Sequence, residues 1–182
     1  REHNMQNVRD MNIIEYKKHY KEYVKNLNKF ILTSRFTNKT WSENIEYKNR
    51  KNHQGCLYSA PDPVSCQIKP DAIMFVLEMN NDENKIIGIG MIRNKPTVNT
   101  HSVYEENIYN RYVFLGEHRI DRTKMNEKEE IVMKAFDTLC FKGNKHMKRG
   151  QGLKRFPLDM LFKCKEKLDL VEFISNMFKK RM

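Results

Sequence analysis

The chain has 182 residues and a formal net charge of +11 at pH 7, from 34 Lys and Arg against 23 Asp and Glu. A hydrophobic content of 39%, with 10 Phe and 8 Tyr, excludes a disordered chain and predicts one folded domain with a substantial core. No apolar stretch approaches the roughly 20 residues that cross a bilayer, so we expect no membrane partner.

The first two predicted elements are helices. The first covers about residues 11–32, where four apolar residues follow at intervals of four, three and four, the spacing of one helix face: Tyr20, Val24, Leu27 and Ile31. A break is expected at residues 33–38. A short polar helix then runs to about Lys51, and Thr40 and Glu43 have the spacing of a capping box at its N-terminus.

Short strands are predicted in the middle of the chain, where apolar runs are bounded by polar turns. Their ranges are 56–59, 72–79, 86–92 and 111–116. Residues 117–121 either extend the last strand or form another. Gly88 and Gly90 fall on the same face of their strand. The missing side chains there allow close approach of another backbone or a flat ligand, or mark a tight barrel bend.

Helices return in the last third of the chain. Asn126 caps a helix with an apolar stripe, Pro157 fits the first turn of the next helix, and Asp169 caps a last one. The order lacks the βαβ alternation of a doubly wound sheet. The sequence therefore predicts an α+β fold, with residues 1–182 as one domain. We expect a small curved mixed sheet or open β-barrel flanked by helices at both termini.

The C-terminal segment from residue 142 to residue 182 has 12 Lys and Arg against 4 Asp and Glu, a net charge of +8. Glycines interrupt the cations over residues 142–155, which excludes a simple charged helix face. Flexible backbone N–H groups beside clustered cations suit phosphate. We therefore expect nucleic acid as the partner, with RNA slightly favoured over DNA, and six phosphate-binding residues: Lys142, Lys145, Lys148, Arg149, Lys154 and Arg155.

Sequence motifs for catalysis or metal binding are lacking. The four cysteines, at positions 56, 66, 140 and 164, do not have the spacing of a metal site, and neither do the histidines. No nucleophile motif or nucleotide-binding loop is present. We expect no metal, no cofactor and no catalytic residue. Buried free thiols predict a reducing compartment: the cytoplasm, the nucleus or a viral replication compartment.

Three features together resemble a known superfamily: Trp41 in its polar segment, the Cys-Leu-Tyr-Ser-Ala-Pro run at 56–61, and the strand pair at 75–79 and 86–91 with its Ile-Gly-Ile-Gly return. They resemble the PUA superfamily, particularly its YTH and EVE branches, over about residues 36–120. The resemblance implies a small curved sheet or open barrel flanked by helices that binds RNA or DNA. YTH domains hold N6-methyladenine in an aromatic cage, and Trp41 matches the position of the first cage tryptophan. The cage commonly uses several tryptophans, whereas this chain has one.

The chain is also similar to proteins of large eukaryotic DNA viruses. They share the Asn-Asn-Asp-Glu-Asn-Lys turn at 80–85 and a Lys-Arg-Gly-Gln-Gly-like stretch, here at 148–152. A viral source fits the abundance of Lys, Asn and Ile, which is typical of an AT-rich genome.

We expect a pocket beside the central sheet that holds a single-stranded base and reads a modified one. Trp41 and one or more tyrosines would stack on the base while Ser59 and Asn44 contact its edge, so the set is Trp41, Asn44, Tyr58, Ser59, Tyr104 and Tyr112. In the competing interpretation Trp41 is a core residue that docks its helix.

Two other functions remain open. The first is an enzyme of nucleic-acid modification that uses Asp121 or Glu117 as its acid–base group in the same basic cleft. The second is a scaffold or virion protein whose basic tail meets an acidic partner. An ionisable pair in the pocket favours the enzyme, a pocket of aromatic and amide groups favours the reader, and a flat apolar patch without a pocket favours the scaffold.

Overall fold

The computed structural model describes the backbone of residues 2–182 and the side chains of residues 13–182. Over these residues the chain is α+β, as the sequence predicts. The helices are α1 (Glu2–Asn26), α2 (Asn38–Arg50), α3 (Glu127–Phe141), α4 (Leu158–Cys164) and α5 (Leu170–Lys179). The strands are β1 (Lys29–Phe36), β2 (Cys56–Ala60), β3 (Ile73–Asn80), β4 (Lys85–Arg93), β5 (Tyr112–Gly116), β6 (His118–Asp121) and β7 (Lys154–Arg155).

Five strands form a mixed sheet in the order β6-β4-β3-β1-β7, and it is not closed into a barrel. β1 and β3 are parallel, and the other neighbours in this sheet are antiparallel. β2 and β5 pair separately as a two-stranded antiparallel ribbon. Of the two expected forms, a small mixed sheet or an open β-barrel with helices at both termini, the mixed sheet with flanking helices is therefore confirmed.

The two faces of the sheet have different partners. On one face, Ile31 and Leu77 belong to a large apolar cluster that α3, α4 and α5 complete with residues such as Phe136, Leu161 and Ile174. On the other face, residues of β1, β3 and β4 pack against the β2–β5 ribbon, in a cluster formed by Leu32, Met74, Val76, Ile92, Cys56, Tyr58 and Phe114. The sheet is thus the middle layer, since alternate residues of each strand point to opposite faces.

The predicted first helix is wrong at its C-terminal end. α1 ends at Asn26, and the residues that were expected to continue it form β1 in the interior of the sheet. Ile31 is 2% exposed and Leu32 is 0% exposed, and they belong to the clusters on opposite faces of the sheet, so β1 is buried on both faces. A short apolar run that is buried on both faces cannot be distinguished from a buried helix by periodicity, so the helical spacing continued across the boundary by coincidence.

The cap of α2 also differs from the predicted one. Thr37 is the N-cap, and its hydroxyl accepts a hydrogen bond from the Thr40 backbone N–H at 3.1 Å. Thr40 returns the bond, because its own hydroxyl accepts from the Thr37 backbone N–H at 2.9 Å. The capping box therefore begins three residues earlier than expected, and Trp41 lies inside the helix rather than at its start.

All four cysteines are free thiols, but they are not all buried. Burial raises the pKa of both Cys56 and Cys140 to about 12, which keeps these two thiols protonated and unreactive at neutral pH. Cys66 is exposed because it lies in the loop between β2 and β3. The expectation of buried thiols is therefore correct for Cys56 and Cys140 and wrong for Cys66, while Cys164 is half-buried.

Several chain segments meet where β1 ends. Phe36 lies beside Asn80 in the parallel register, so β1 and β3 finish together. α2 begins immediately after β1, and the β3–β4 turn follows β3. β7 runs antiparallel to β1, with Lys154 opposite Thr33. The segment before β7 is therefore directed towards the same end of the sheet.

Among the helices described, none is long and apolar enough to cross a membrane.

Candidate functional site

A cavity of about 360 Å³ lies at this end of the sheet. Its walls come from the end of β1, the first turns of α2, β2, the loop before β5 and the glycine-containing segment before β7. Three aromatic residues contribute to the lining: Phe36, Tyr104 and Tyr109. Ser59 and Tyr104 of the expected base pocket line it together with Gly150 and Gly152 of the basic segment. Two features that are far apart in the sequence therefore meet at one cavity.

A second, larger groove of about 1250 Å³ lies between α1 and the α4–α5 region. Its described lining mixes carboxylates and lysines, such as Glu22, Glu172, Lys163 and Lys165, and includes none of the residues predicted for a site. Size alone does not identify a binding site, so we take the smaller cavity as the candidate because two predicted base-pocket residues, Ser59 and Tyr104, meet the glycines of the basic segment there.

The basic loop, which we define as residues 142–153, is held against the cavity by two side chains. The Arg35 guanidinium donates to the backbone oxygens of Met147, at 3.0 Å, and Gly152, at 3.4 Å. The Asn81 side-chain amide donates to the backbone oxygen of Lys148 at 3.0 Å. Both Arg35 and Asn81 line the cavity themselves. The position of the loop is therefore determined by residues of β1 and of the β3–β4 turn.

Ser59, Asn44 and Tyr104 form a polar group on the ribbon side of the cavity. Asn44 is fully buried, and its Nδ2 donates to the Leu57 backbone oxygen at 2.8 Å and to the Tyr104 hydroxyl oxygen at 3.0 Å. Burial raises the pKa of Tyr104 to about 12, so the phenol is neutral and retains its proton to donate. Ser59 neighbours this phenol and is 8% exposed. Asn44 is therefore not part of the described cavity lining itself, but its hydrogen bond positions Tyr104, which is.

Tyr58 belongs to a buried polar network instead of the described cavity lining. Its hydroxyl donates to Glu78 Oε2 at 2.6 Å, and both residues are 0% exposed. Arg119 donates to the same carboxylate from Nε and Nη2, at 2.7–3.1 Å, and also pairs with Asp121 at 2.9 Å. Charge-assisted bonds of this kind satisfy a carboxylate that would be strongly unfavourable alone in the interior.

The two glycines of β4 make room for this network. A side chain at Gly90 would overlap the Tyr58 hydroxyl, and one at Gly88 would overlap the Arg119 guanidinium and the Glu78 carboxylate. Close approach therefore occurs at both positions, as the sequence predicts. The approaching groups are mainly side chains of the protein's own interior and not a flat ligand, and the Ile120 backbone oxygen also lies close to Gly88.

Trp41 packs at the edge of the same network. Its ring meets Phe36 edge-on, with 5.0 Å between centroids, and lies 5.0 Å from the Arg119 guanidinium carbon and 5.4 Å from Lys48 Nζ. Trp41 is half-buried and is not part of the described cavity lining. Tyr112 is half-buried on β5, where it pairs with Ala60, and is likewise outside that lining.

The six residues expected to bind phosphate lie on or beside the basic loop. Lys142, Lys145, Arg149 and Lys154 are exposed, while Lys148 and Arg155 are half-buried. Lys154 reaches alongside Gly150 at the cavity wall. Among the described residues none of the six forms an ion pair, which leaves their charge available to an anion.

Carboxylates are also present at the cavity. Glu43, Glu105 and Glu106 line it. Lys39 pairs with Glu105 at 2.8 Å, but the two side chains are 71% and 76% exposed, so this is a rim contact and not the ionisable pair inside the pocket that would favour an enzyme. The expected acid–base candidates of an enzyme, Asp121 and Glu117, are absent from the described lining. Partial burial acts to raise the pKa of Asp121, but hydrogen bonds from Thr123 and Arg119 outweigh it and hold that pKa below its ordinary value. Asp121 is therefore a weak base.

Sequence reasoning missed Arg35, Asn81 and Arg119, and a sequence signal existed for Arg35 and for Glu78, the partner of Arg119. Glu78 is the only charged residue of β3, and the only other charged residue of β1 besides Arg35 is Lys29, at its first position. A charge in a strand that is buried on both faces requires a partner, so each predicts a polar contact. The identity of the partners depends on tertiary contacts between distant segments. Over the described residues, no cluster of His, Cys, Asp and Glu has the arrangement of a metal site.

No protein-family model, no curated protein and no solved structure matches this chain.

Proposed function

We propose that this protein is a PUA-like domain that binds single-stranded nucleic acid, with RNA slightly favoured over DNA. One base enters the cavity, and the adjoining backbone crosses the basic loop. The observation that carries this proposal is that Gly150 and Gly152 of the loop form one wall of the cavity that Ser59 and Tyr104 line.

The chemistry of the cavity lining and of the basic loop supports a base in the cavity and a phosphate backbone on the loop. Aromatic rings bind bases by stacking, which contributes about 1–3 kcal/mol per base, and Phe36, Tyr104 and Tyr109 are present in the lining. Lysine and arginine side chains without partners attract phosphate and release counterions from the strand. Lys148, Arg149 and Lys154 lie in or directly after the loop that forms the wall.

The size of the cavity supports a single strand rather than a duplex. About 360 Å³ is at the low end of the volume range of small-ligand pockets, roughly 300–1000 Å³, and suits one nucleoside-sized group. A base that enters such a cavity must be unstacked from its neighbours, which costs least in a single strand. A modified base such as N6-methyladenine is the finer form of the proposal, with the three aromatic rings as its cage.

The test is a titration with matched RNA and DNA oligonucleotides, with and without N6-methyladenine, at two salt concentrations. In the first variant, Lys148, Arg149, Lys154 and Arg155 are all replaced with Ala. The matched control replaces Lys17, Lys18, Lys21 and Lys25, four exposed lysines of α1, with Ala. The net charge changes by the same amount in both variants.

The loop variant should bind all sequences more weakly than the control. The slope of log K against log salt should flatten by roughly 0.7 for each phosphate that the variant no longer neutralises. Equal weakening in both variants would mean that only the total charge matters and would refute a site at the loop. Binding to an acidic polypeptide but to no oligonucleotide would favour the scaffold function instead.

A further inference from the structure

Buried polar atoms without partners concentrate at the cavity. Among the described residues, five buried side-chain atoms make no hydrogen bond: Arg35 Nε, Asn44 Oδ1, Ser59 Oγ, Asn81 Oδ1 and His101 Nε2. Three of these, on Arg35, Ser59 and Asn81, belong to residues that line the cavity. A buried polar group without a partner destabilises the fold, so a concentration of such groups at one place requires a reason. A ligand that bonds to them supplies one.

The three atoms offer a defined pattern of donors and acceptors. Arg35 Nε–H can only donate, because the guanidinium has no acceptor. Asn81 Oδ1 can only accept, since the bond to the Lys148 backbone oxygen identifies the other amide atom as Nδ2. The Ser59 hydroxyl can do either. A ligand therefore has to present both an acceptor and a donor to this wall.

The charges around the cavity do not favour a phosphate as the group that enters it. Three carboxylates, Glu43, Glu105 and Glu106, line the cavity against two cations, Arg35 and Lys39, and Lys39 is paired with Glu105. A phosphate would also meet the Asn81 oxygen, which repels another acceptor. An uncharged planar ring with a donor and an acceptor on its edge has neither problem, and the nucleobases are such rings.

We propose that the cavity takes an uncharged nucleobase and reads its edge through hydrogen bonds from Arg35, Ser59 and Asn81, while the phosphates stay outside on the basic loop. This inference rests on the proposed function and adds how the base is recognised. The three atoms are shielded from solvent, so binding includes small rotations of these side chains.

The same residues connect the base to the backbone contacts. Arg35 and Asn81 each hold the basic loop through its backbone oxygens and each keep one atom for the ligand. A base that bonds to them therefore acts on the side chains that position Lys148 and its neighbours. Base recognition and phosphate binding should consequently reinforce one another.

The test uses RNA octamers of tetrahydrofuran abasic sites that carry one central A, C, G or U, against the wholly abasic octamer. The quantity measured is the ratio of affinities with and without the base, which cancels any general effect on phosphate binding. The variants are Ser59→Ala and Asn81→Ala, and the control is Ser42→Ala, an exposed serine of α2 outside the described cavity lining. Thermal unfolding is measured on each protein.

For the wild-type protein, at least one single-base octamer should bind roughly 10-fold or more tightly than the abasic octamer. Ser59→Ala should lower that ratio roughly 3- to 10-fold with little change in the melting temperature, because the hydroxyl lies beside the Tyr104 phenol without a well-aligned hydrogen bond. Asn81→Ala should lower the ratio and also weaken the abasic octamer, since it releases Lys148. Ser42→Ala should change neither quantity.

Two results would overturn the inference and leave nucleic-acid binding standing. One is a wild-type ratio near one, which would show that no base enters the cavity. The other is a high ratio that Ser59→Ala and Asn81→Ala both leave unchanged, which would show that the base is held without these groups. Failure of every oligonucleotide to bind would instead refute the proposed function itself.

Discussion

Tyr58 and Glu78 illustrate how single residues determine the interior of this protein. The carboxylate is fully buried and accepts hydrogen bonds from the Tyr58 hydroxyl and from Arg119. The space for that hydroxyl exists only because residue 90 is glycine. The two glycines of the Ile-Gly-Ile-Gly strand are therefore required for the packing of this buried polar network.

The first prediction concerns this contact. Gly90→Ala should lower the free energy of unfolding by about 1–3 kcal/mol, because the new methyl group displaces the Tyr58 hydroxyl. Tyr58→Phe alone should also be destabilising, since Glu78 loses a donor. The double variant should be less destabilised than the sum of the two, because Tyr58→Phe removes the atom nearest to the new methyl group, although Cys56 Sγ and the ring carbon Cε2 of residue 58 still lie 2.7 Å from it. Denaturant unfolding of the four proteins measures the coupling, and strict additivity would contradict the packing described.

Trp41 provides the second prediction. Its ring contacts Phe36, Arg119 and Lys48 and does not occur in the described cavity lining. Trp41→Ala should lower the free energy of unfolding by about 2–4 kcal/mol, because fully buried changes of this kind cost about 3–5 kcal/mol and this ring is half-buried. Oligonucleotide affinity of the folded variant should fall by less than about threefold. A loss of about 1–3 kcal/mol in affinity with unchanged stability would instead place the indole on the base.

At the scale of elements, the C-terminal residues fasten α5 to α3. The Arg181 guanidinium, just after α5, donates to both oxygens of Glu129 at 2.7 and 2.9 Å. Glu129 is also the capping-box residue of α3, where it accepts from the Asn126 backbone N–H. One carboxylate therefore joins the start of one helix to the end of another. The hydrogen bond from Arg181 is the main cause that holds the pKa of Glu129 below its ordinary value.

The third prediction follows from this ion pair. A carboxylate with a lowered folded pKa adds stability above its unfolded pKa, near 4.5, and that contribution is lost as the pH falls through the folded pKa. Arg181→Met should therefore lower the free energy of unfolding by about 1–3 kcal/mol at pH 7. The difference between wild type and variant should shrink as the pH falls below 4.5. A difference that stays constant from pH 7 to pH 3 would contradict the pairing. Lys179→Met, at a nearby exposed residue, is the matched control.

At the scale of the whole molecule, the sheet separates two apolar clusters that share its strands. β1, β3 and β4 contribute residues to both faces, so neither cluster can form without them. The expectation of one domain over residues 1–182 is therefore open to a direct measurement.

The fourth prediction is a single cooperative unfolding transition. Trp41 is the only tryptophan and lies on the ribbon side of the sheet, so its fluorescence reports that side. Far-ultraviolet circular dichroism reports mainly the helices, of which α3, α4 and α5 pack on the opposite side. Denaturation midpoints from the two signals should coincide. Two separate midpoints would show that the two sides of the sheet unfold independently.

The sequence by itself determined the elements whose local pattern agrees with their tertiary environment. The β3–β4 hairpin, β2, the Asn126 and Asp169 caps and the absence of βαβ alternation were all predicted, because turn residues, caps and apolar runs act over a few residues. The concentration of charge after residue 142 is likewise a property of composition. These predictions needed no knowledge of what each segment contacts.

Only the tertiary structure decided which of these segments meet. β1 looked helical because burial on both faces removes the alternation that identifies a strand. Arg35 and Asn81 could not be assigned to the site, since their role depends on the basic loop, more than 60 residues away, reaching the end of β1. Trp41 and Tyr58 are expected at a pocket, but Trp41 packs against Arg119 and Tyr58 donates a hydrogen bond to Glu78, and neither residue is in the described cavity lining. Contacts between residues far apart in the chain determine these positions, and a single sequence carries no local signal for such contacts.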